Sequence, residues 1–158
     1  GTACQPKLVL FFYNNQTADG GAAVASFGFG AAVSTSQRVS GFAISADAAA
    51  TSDSDRTLSQ TKAVVIINAS QAIVASADLV TLNSDGFTLN WNVVDANARI
   101  INYLAIGGAD VTNATVGSYT SSGSPQSITG LGFQPDLVIL YNSGSTTSAD
   151  FTLTEASL

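Results

Sequence analysis

The apolar residues of this chain fall into short runs and alternations of strand length. No window keeps helical periodicity over the roughly 10 residues a helix needs. Phe87-Thr-Leu-Asn-Trp-Asn-Val93 is the cleanest signal: Phe87, Leu89, Trp91 and Val93 share one face of an extended chain, and Thr88, Asn90 and Asn92 the other. Lys7 to Tyr13 is a continuous apolar run ended by Asn14-Asn15, the pattern of a strand buried on both faces. Strands are also expected in Ala22 to Val33, Arg38 to Ser45, Lys62 to Asn68, Ile73 to Leu82, Ile100 to Ile106 and Asp136 to Tyr141. Ala46 to Ser59, three alanines among Asp47, Ser52, Asp53 and Asp55, reads as a loop with one helical turn. The expectation is an all-β chain, a jelly-roll-like β-sandwich of about ten short strands. Leu8, Leu10, Phe87, Leu89, Trp91, Leu104, Leu137 and Ile139 should lie inside it.

The 158 residues are 46% hydrophobic but only 10% charged, well under the ~25% of an ordinary domain, so the surface is polar without being ionic. That suits a body held in an assembly. Net charge is −6, and the five basic residues (Lys7, Arg38, Arg56, Lys62 and Arg99) stand singly. Nucleic acid and anionic membranes are therefore not expected partners. The most apolar stretch, Lys62 to Val80, is broken by Asn68, Ser70, Gln71, Ser76 and Asp78, so no membrane span is expected. The chain contains no Met, which suggests processing or a piece of something longer. The lone Cys4 has no disulfide partner within the chain and is expected to be a small buried apolar residue.

With no His, the commonest general base and metal ligand is missing, and a Ser-His-Asp or Cys-His arrangement is impossible. Asp47, Asp53 and Asp55 place carboxylates on one loop, as a Ca²⁺ site would, but lack the Gly and closing Glu of an EF-hand. A solvated acidic loop is the simpler reading. Asp78, Asp85, Asp95 and Asp110 qualify as paired glycosidase carboxylates only by arithmetic, and Asp85-Gly86 reads better as a turn. Trp91, Tyr103, Tyr119 and Tyr141 form a conceivable sugar-stacking platform, although Trp91 shares the apolar face of Phe87. Phe27-Gly-Phe-Gly30 has no following basic residue or helix start, so close backbone packing explains its glycines better than phosphate binding. The sequons at Asn15, Asn68 and Asn113 matter only in a eukaryotic secretory route. No catalytic, cofactor-binding or metal-binding residue is expected, and no enzymatic activity.

The two ends of the chain resemble each other. Gly1-Thr-Ala-Cys-Gln-Pro-Lys-Leu-Val-Leu10 aligns with Gly130-Leu-Gly-Phe-Gln-Pro-Asp-Leu-Val-Ile139, and the shared Gln-Pro is telling in a chain with three prolines. Pro suits the first residue of a strand, where its missing N–H costs the ladder nothing. The chain then divides into a main unit, residues 1–110, and residues 111–158, which supply strands of a second partial unit or complete the same sandwich. Either way Leu8-Val-Leu10 and Leu137-Val-Ile139 should occupy central strands.

Gly117-Ser-Tyr-Thr-Ser-Ser-Gly123, then Gly132-Phe-Gln-Pro-Asp-Leu-Val138, resembles the opening of a β domain of tailed-phage virion proteins. Asn83-Ser-Asp-Gly-Phe-Thr-Leu89 and Ile101-Asn-Tyr-Leu-Ala-Ile-Gly-Gly108 resemble its later segments, in the same order. Thr2-Ala-Cys4 departs from the Leu-Gly-Phe of that opening, and residues 14–80 match only in general character. The resemblance implies a non-catalytic, oligomeric virion protein of capsid-decoration or tail-fibre type. Its partners would be copies of itself and other virion proteins. The lead-in absent before Gln5 is present at residues 116–130, so residues 111–158 are expected to help complete a sheet, in the same chain or by strand exchange with a neighbouring copy. A receptor- or glycan-binding module of a tail fibre, contacting host-surface glycan, is the alternative. A bacterial surface-layer or extracellular filament subunit is another.

Overall fold

The computed structural model describes residues 4–46 and 54–142. Among these there is no helix, and eight strands form two antiparallel sheets, a β-sandwich. The strands are β1 (Pro6–Tyr13), β2 (Ala25–Ala32), β3 (Arg38–Ser45), β4 (Ser54–Ser59), β5 (Val64–Ile67), β6 (Ile73–Asn83), β7 (Gly86–Val93) and β8 (Ile101–Gly107). The larger sheet has the order β4-β3-β2-β1-β8, and the smaller is β5-β6-β7. No helix among the described residues is long and apolar enough to cross a membrane.

Most expected strands form where the alternation placed them. β4 is a correction: Ser54 to Ser59 was read as loop but pairs with β3 from Ser45↔Ser54 to Ser40↔Ser59. An edge strand carrying Asp55 and Arg56 lacks the apolar alternation that marks a strand, because charged edges resist further pairing. Asp136 to Tyr141 is the opposite correction. It forms no strand, and residues 111–142 contribute only an isolated bridge at Asn142.

The core lies between the sheets. Val9, Phe11 and Tyr13 project from β1 into it, joined by Phe42, Ile44, Val64 to Ile67, Ala75, Ala77 and Leu79. The Tyr13 ring stacks on Phe42 at 6.0 Å, and Phe11 meets Phe87 edge-on at 5.5 Å. The glycines of Phe27-Gly-Phe-Gly30 make this close approach possible. A Cβ on Gly28 would enter the Tyr13 ring, and one on Gly30 would collide with the Ala63 carbonyl of the facing layer.

A charged clasp ties the layers at one side. Asp78 of β6 lies 3.4 Å from Arg38 of β3 and 3.1 Å from the Lys62 ammonium, which also donates to Asn92 at 2.8 Å. Arg38 further donates to the Leu79 carbonyl at 3.2 Å.

Of the eight residues expected inside, Leu10 is buried, and Leu8, Phe87 and Leu89 are half-buried. Trp91, Leu104, Leu137 and Ile139 are corrections, being 39%, 50%, 62% and 50% exposed. Trp91 and Leu104 lie on β7 and β8, which end their sheets, so each lacks a neighbouring strand on one side. Leu137 and Ile139 belong to no strand among the described residues.

Tyr13 yields the first test. Its buried hydroxyl accepts the Val65 N–H at 3.1 Å and lies 3.3 Å and 3.4 Å from the Phe29 and Gly41 carbonyls, donating to one of them. Burial pushes this phenol well above its ordinary range. The neutral form is therefore the one that folds. Its contribution is complete below the unfolded tyrosine value near pH 10 and is lost as pH rises beyond it. Tyr13→Phe should cost about 1–3 kcal/mol at neutral pH by stranding the Val65 donor. The variant should also lose stability less steeply above about pH 10. Urea unfolding across pH 7 to 11 measures both, and parallel pH profiles would show that the hydroxyl is not buried as described.

Candidate functional site

The candidate chemical groups are scattered. Asp47 and Asp53 lie outside the described residues, and Asp55 on β4 accepts a hydrogen bond from Gln71 at 2.6 Å. Asp78 belongs to the inter-sheet clasp. Asp85 sits with Ser84 in the two-residue turn between Asn83 and Gly86, as the sequence suggested. Asp95 accepts from the Asn97 backbone at 2.8 Å and from Arg99 at 2.8 Å, which together hold its carboxyl below the ordinary range. Asp110 is exposed beyond β8. Among the described residues no three His, Cys, Asp or Glu side chains gather as metal ligands. Cys4 corrects an expectation, for it is exposed rather than buried. It precedes β1, whose first residue is Pro6.

Nor do the aromatics make one platform. Tyr103 stands edge-on to Phe87 at 5.1 Å on the side of the smaller sheet. Tyr141 lies on the opposite face of the larger sheet, stacked on Phe29 at 5.0 Å. Trp91, Tyr103 and Tyr119 each keep 39% or more of their surface exposed.

Apolar side chains gather in two further places, one buried and one exposed. The outer face of the larger sheet carries Leu10, Phe29 and Ala31, with Leu8, Phe12, Phe27 and Val39 around them. Leu10, Phe29 and Ala31 are buried there, and the apolar cover from beyond β8 includes Val116 and Tyr141. Gly41 admits the Tyr141 ring, because a Cβ there would meet it at 2.7 Å. Burial on this face pushes the Tyr141 hydroxyl up to about 12. The Lys7 ammonium reaches the Thr112 carbonyl at 3.4 Å, so residues after β8 turn back over the face whose first strand begins at Pro6.

The second surface is the free edge of β8. One side of β8 is taken by β1, in register from Pro6↔Gly107 to Tyr13↔Ile101, and the other side ends the sheet. Ile101 and Ala105 pack toward the core, while Leu104 stands opposite, paired with Leu10. β8 contains no charged residue, and Tyr103 and Leu104 are 58% and 50% exposed. An uncharged apolar edge of this length invites pairing. Sequence reading identified the strand but not that it would be an edge. That depends on strand order, which alternation does not encode.

Compared with protein-family models, with curated proteins and with solved structures, the chain matches none.

Proposed function

We propose that this chain is a non-catalytic structural component of a phage particle, a capsid-decoration or tail-fibre protein. It acts through contacts with copies of itself and with other virion proteins. The observation that carries this reading is large apolar surface left uncovered on a weakly charged body. Tyr103 and Leu104 on the β8 edge, and Leu137 to Ile139 beyond it, are 43% to 62% exposed. Exposed apolar side chains on a sheet edge suit protein–protein contact. The sequence resemblance supplies the phage setting. The test is an antibody to the chain, used on tailed particles purified by density gradient. The chain should band with infectious particles; finding it only in particle-free fractions would refute the assignment.

A second reading, a glycan-binding module of a tail fibre, draws support from the exposure of Trp91 and Tyr103 at 39% and 58%. Exposed aromatic faces stack on sugars. A glycan array separates the readings: saturable binding abolished by Trp91→Ala would favour the module, and the structural reading expects none.

A further inference from the structure

The chain contains one strand sequence twice. Gln5-Pro-Lys-Leu-Val-Leu10 forms most of β1, and Gln134-Pro-Asp-Leu-Val-Ile139 repeats it. β1 shows what that sequence does when it has neighbours. It pairs with β2 and β8 at once; Leu8 is half-buried, and Val9 and Leu10 become 0% and 4% exposed. The second copy pairs with no strand among the described residues, leaving Leu137, Val138 and Ile139 at 62%, 43% and 50%. It has the composition of a central strand and the surroundings of a loop.

We infer that residues 135–140 of one copy add as a strand to the free edge of β8 in a second copy of this chain. The four sheet edges are not equivalent acceptors. β4 carries Asp55 and Arg56, which guard it. β5 has only four residues. β7 presents Thr88, Asn90 and Asn92 on one face, a polar row that cannot cover apolar side chains. β8 carries no charge and is mostly apolar, with Ile101, Tyr103 and Ala105 on one face and Asn102, Leu104 and Ile106 on the other. The donor matches it, with Leu137 and Ile139 on one face and Val138 and Leu140 on the other. β8 already accepts this sequence pattern on its β1 side, where Pro6 to Leu10 pair with Gly107 to Leu104. Strand addition would satisfy the edge through main-chain hydrogen bonds and cover Tyr103 and Leu104. Residues 111–134 can span tens of ångströms when extended, enough to reach a neighbour at roughly 3.3 Å per residue. Tyr141 rests on its own β2–β3 face, which brings the acceptor alongside that outer face.

This deepens the proposed structural role by naming a contact, but it is argued from the sheet edges alone. The chain can belong to a particle even if this contact is absent, and the two tests fail separately. The experiment is sedimentation velocity over a concentration series on the full chain, with Val138→Pro, Leu104→Lys and, as a control, Leu58→Lys on the exposed part of β4. The parent should self-associate. Val138→Pro, which removes a strand N–H, and Leu104→Lys, which charges the edge, should each weaken association at least about tenfold. Leu58→Lys should leave it unchanged. Circular dichroism and melting of the dissociated variants should match the parent, because both positions are exposed in the single chain. Should Val138→Pro fail to fold, Leu104→Lys decides. A parent that stays monomeric at its highest soluble concentration, or a Leu104→Lys variant that associates as tightly as the parent, overturns the proposal.

Discussion

Phe11→Ala should cost about 3–5 kcal/mol, the range for removing a fully buried aromatic ring from a core. Phe11 is 1% exposed and sits where the two sheets meet, edge-on to Phe87. Its neighbours cannot close the gap. Val9 and Tyr13, the next inward positions, are fixed by pairing with β2 and β8. Native stabilities are typically about 5–15 kcal/mol, so this single change removes a large share. Urea unfolding with linear extrapolation measures it. The neighbouring Phe12 is the internal comparison. It is half-buried on the outer face against Phe29, and Phe12→Ala should cost clearly less. Equal losses would mean that the sandwich interior is not where the structure places it.

Gly30→Ala should be nearly as damaging, about 3 kcal/mol, at the upper end of what overpacking a tight core costs. The added methyl meets the Ala63 backbone carbonyl, which lies just before the wholly buried β5, so nothing flexible can move aside. Gly30 has no positive φ, so the penalty is space and not backbone conformation. Gly86→Ala is the control. That glycine is also in a strand without positive φ, but nothing lies within 4 Å of its missing Cβ. It should be neutral or slightly stabilising, since Gly pays more backbone entropy on folding. A Gly30→Ala protein as stable as the Gly86→Ala protein would show that the sheets are further apart than described.

The fold class was legible because strand period is written locally. Phe87, Leu89 and Trp91 alternate with Thr88, Asn90 and Asn92 whether or not anything covers them. What covers them is not local, and this is where sequence reading failed. Trp91 shares a face with Phe87, yet Phe87 packs against the core while Trp91 is 39% exposed. Leu104 sits beside Leu10 on a sheet-ending strand, so one is half exposed and the other buried. β4 was hidden by the very charges that suit it to an edge. Leu137-Val-Ile139 is the sharpest case, because the closely similar Leu8-Val-Leu10 lies in a central strand with Val9 and Leu10 buried, whereas residues 137–139 are exposed. Identical local signals reach different ends when the neighbouring strands are already paired. The glycines of Phe27-Gly-Phe-Gly30 were legible as close-packing positions, but the partners they admit, Tyr13 and Ala63, come from far along the chain.

The proposed role stands or falls on the place of this chain in a particle. The most direct measurement is a cryo-electron-microscopy reconstruction of the tailed particles with which the chain is proposed to band. The account predicts a body of two packed antiparallel sheets at symmetry-related positions. Residues 135–140 of each copy should lie along the free side of a neighbour's β8, burying Tyr103 and Leu104. A reconstruction with every protein assigned and no such body would contradict the role; the body present with β8 edges facing solvent would contradict the strand contact alone.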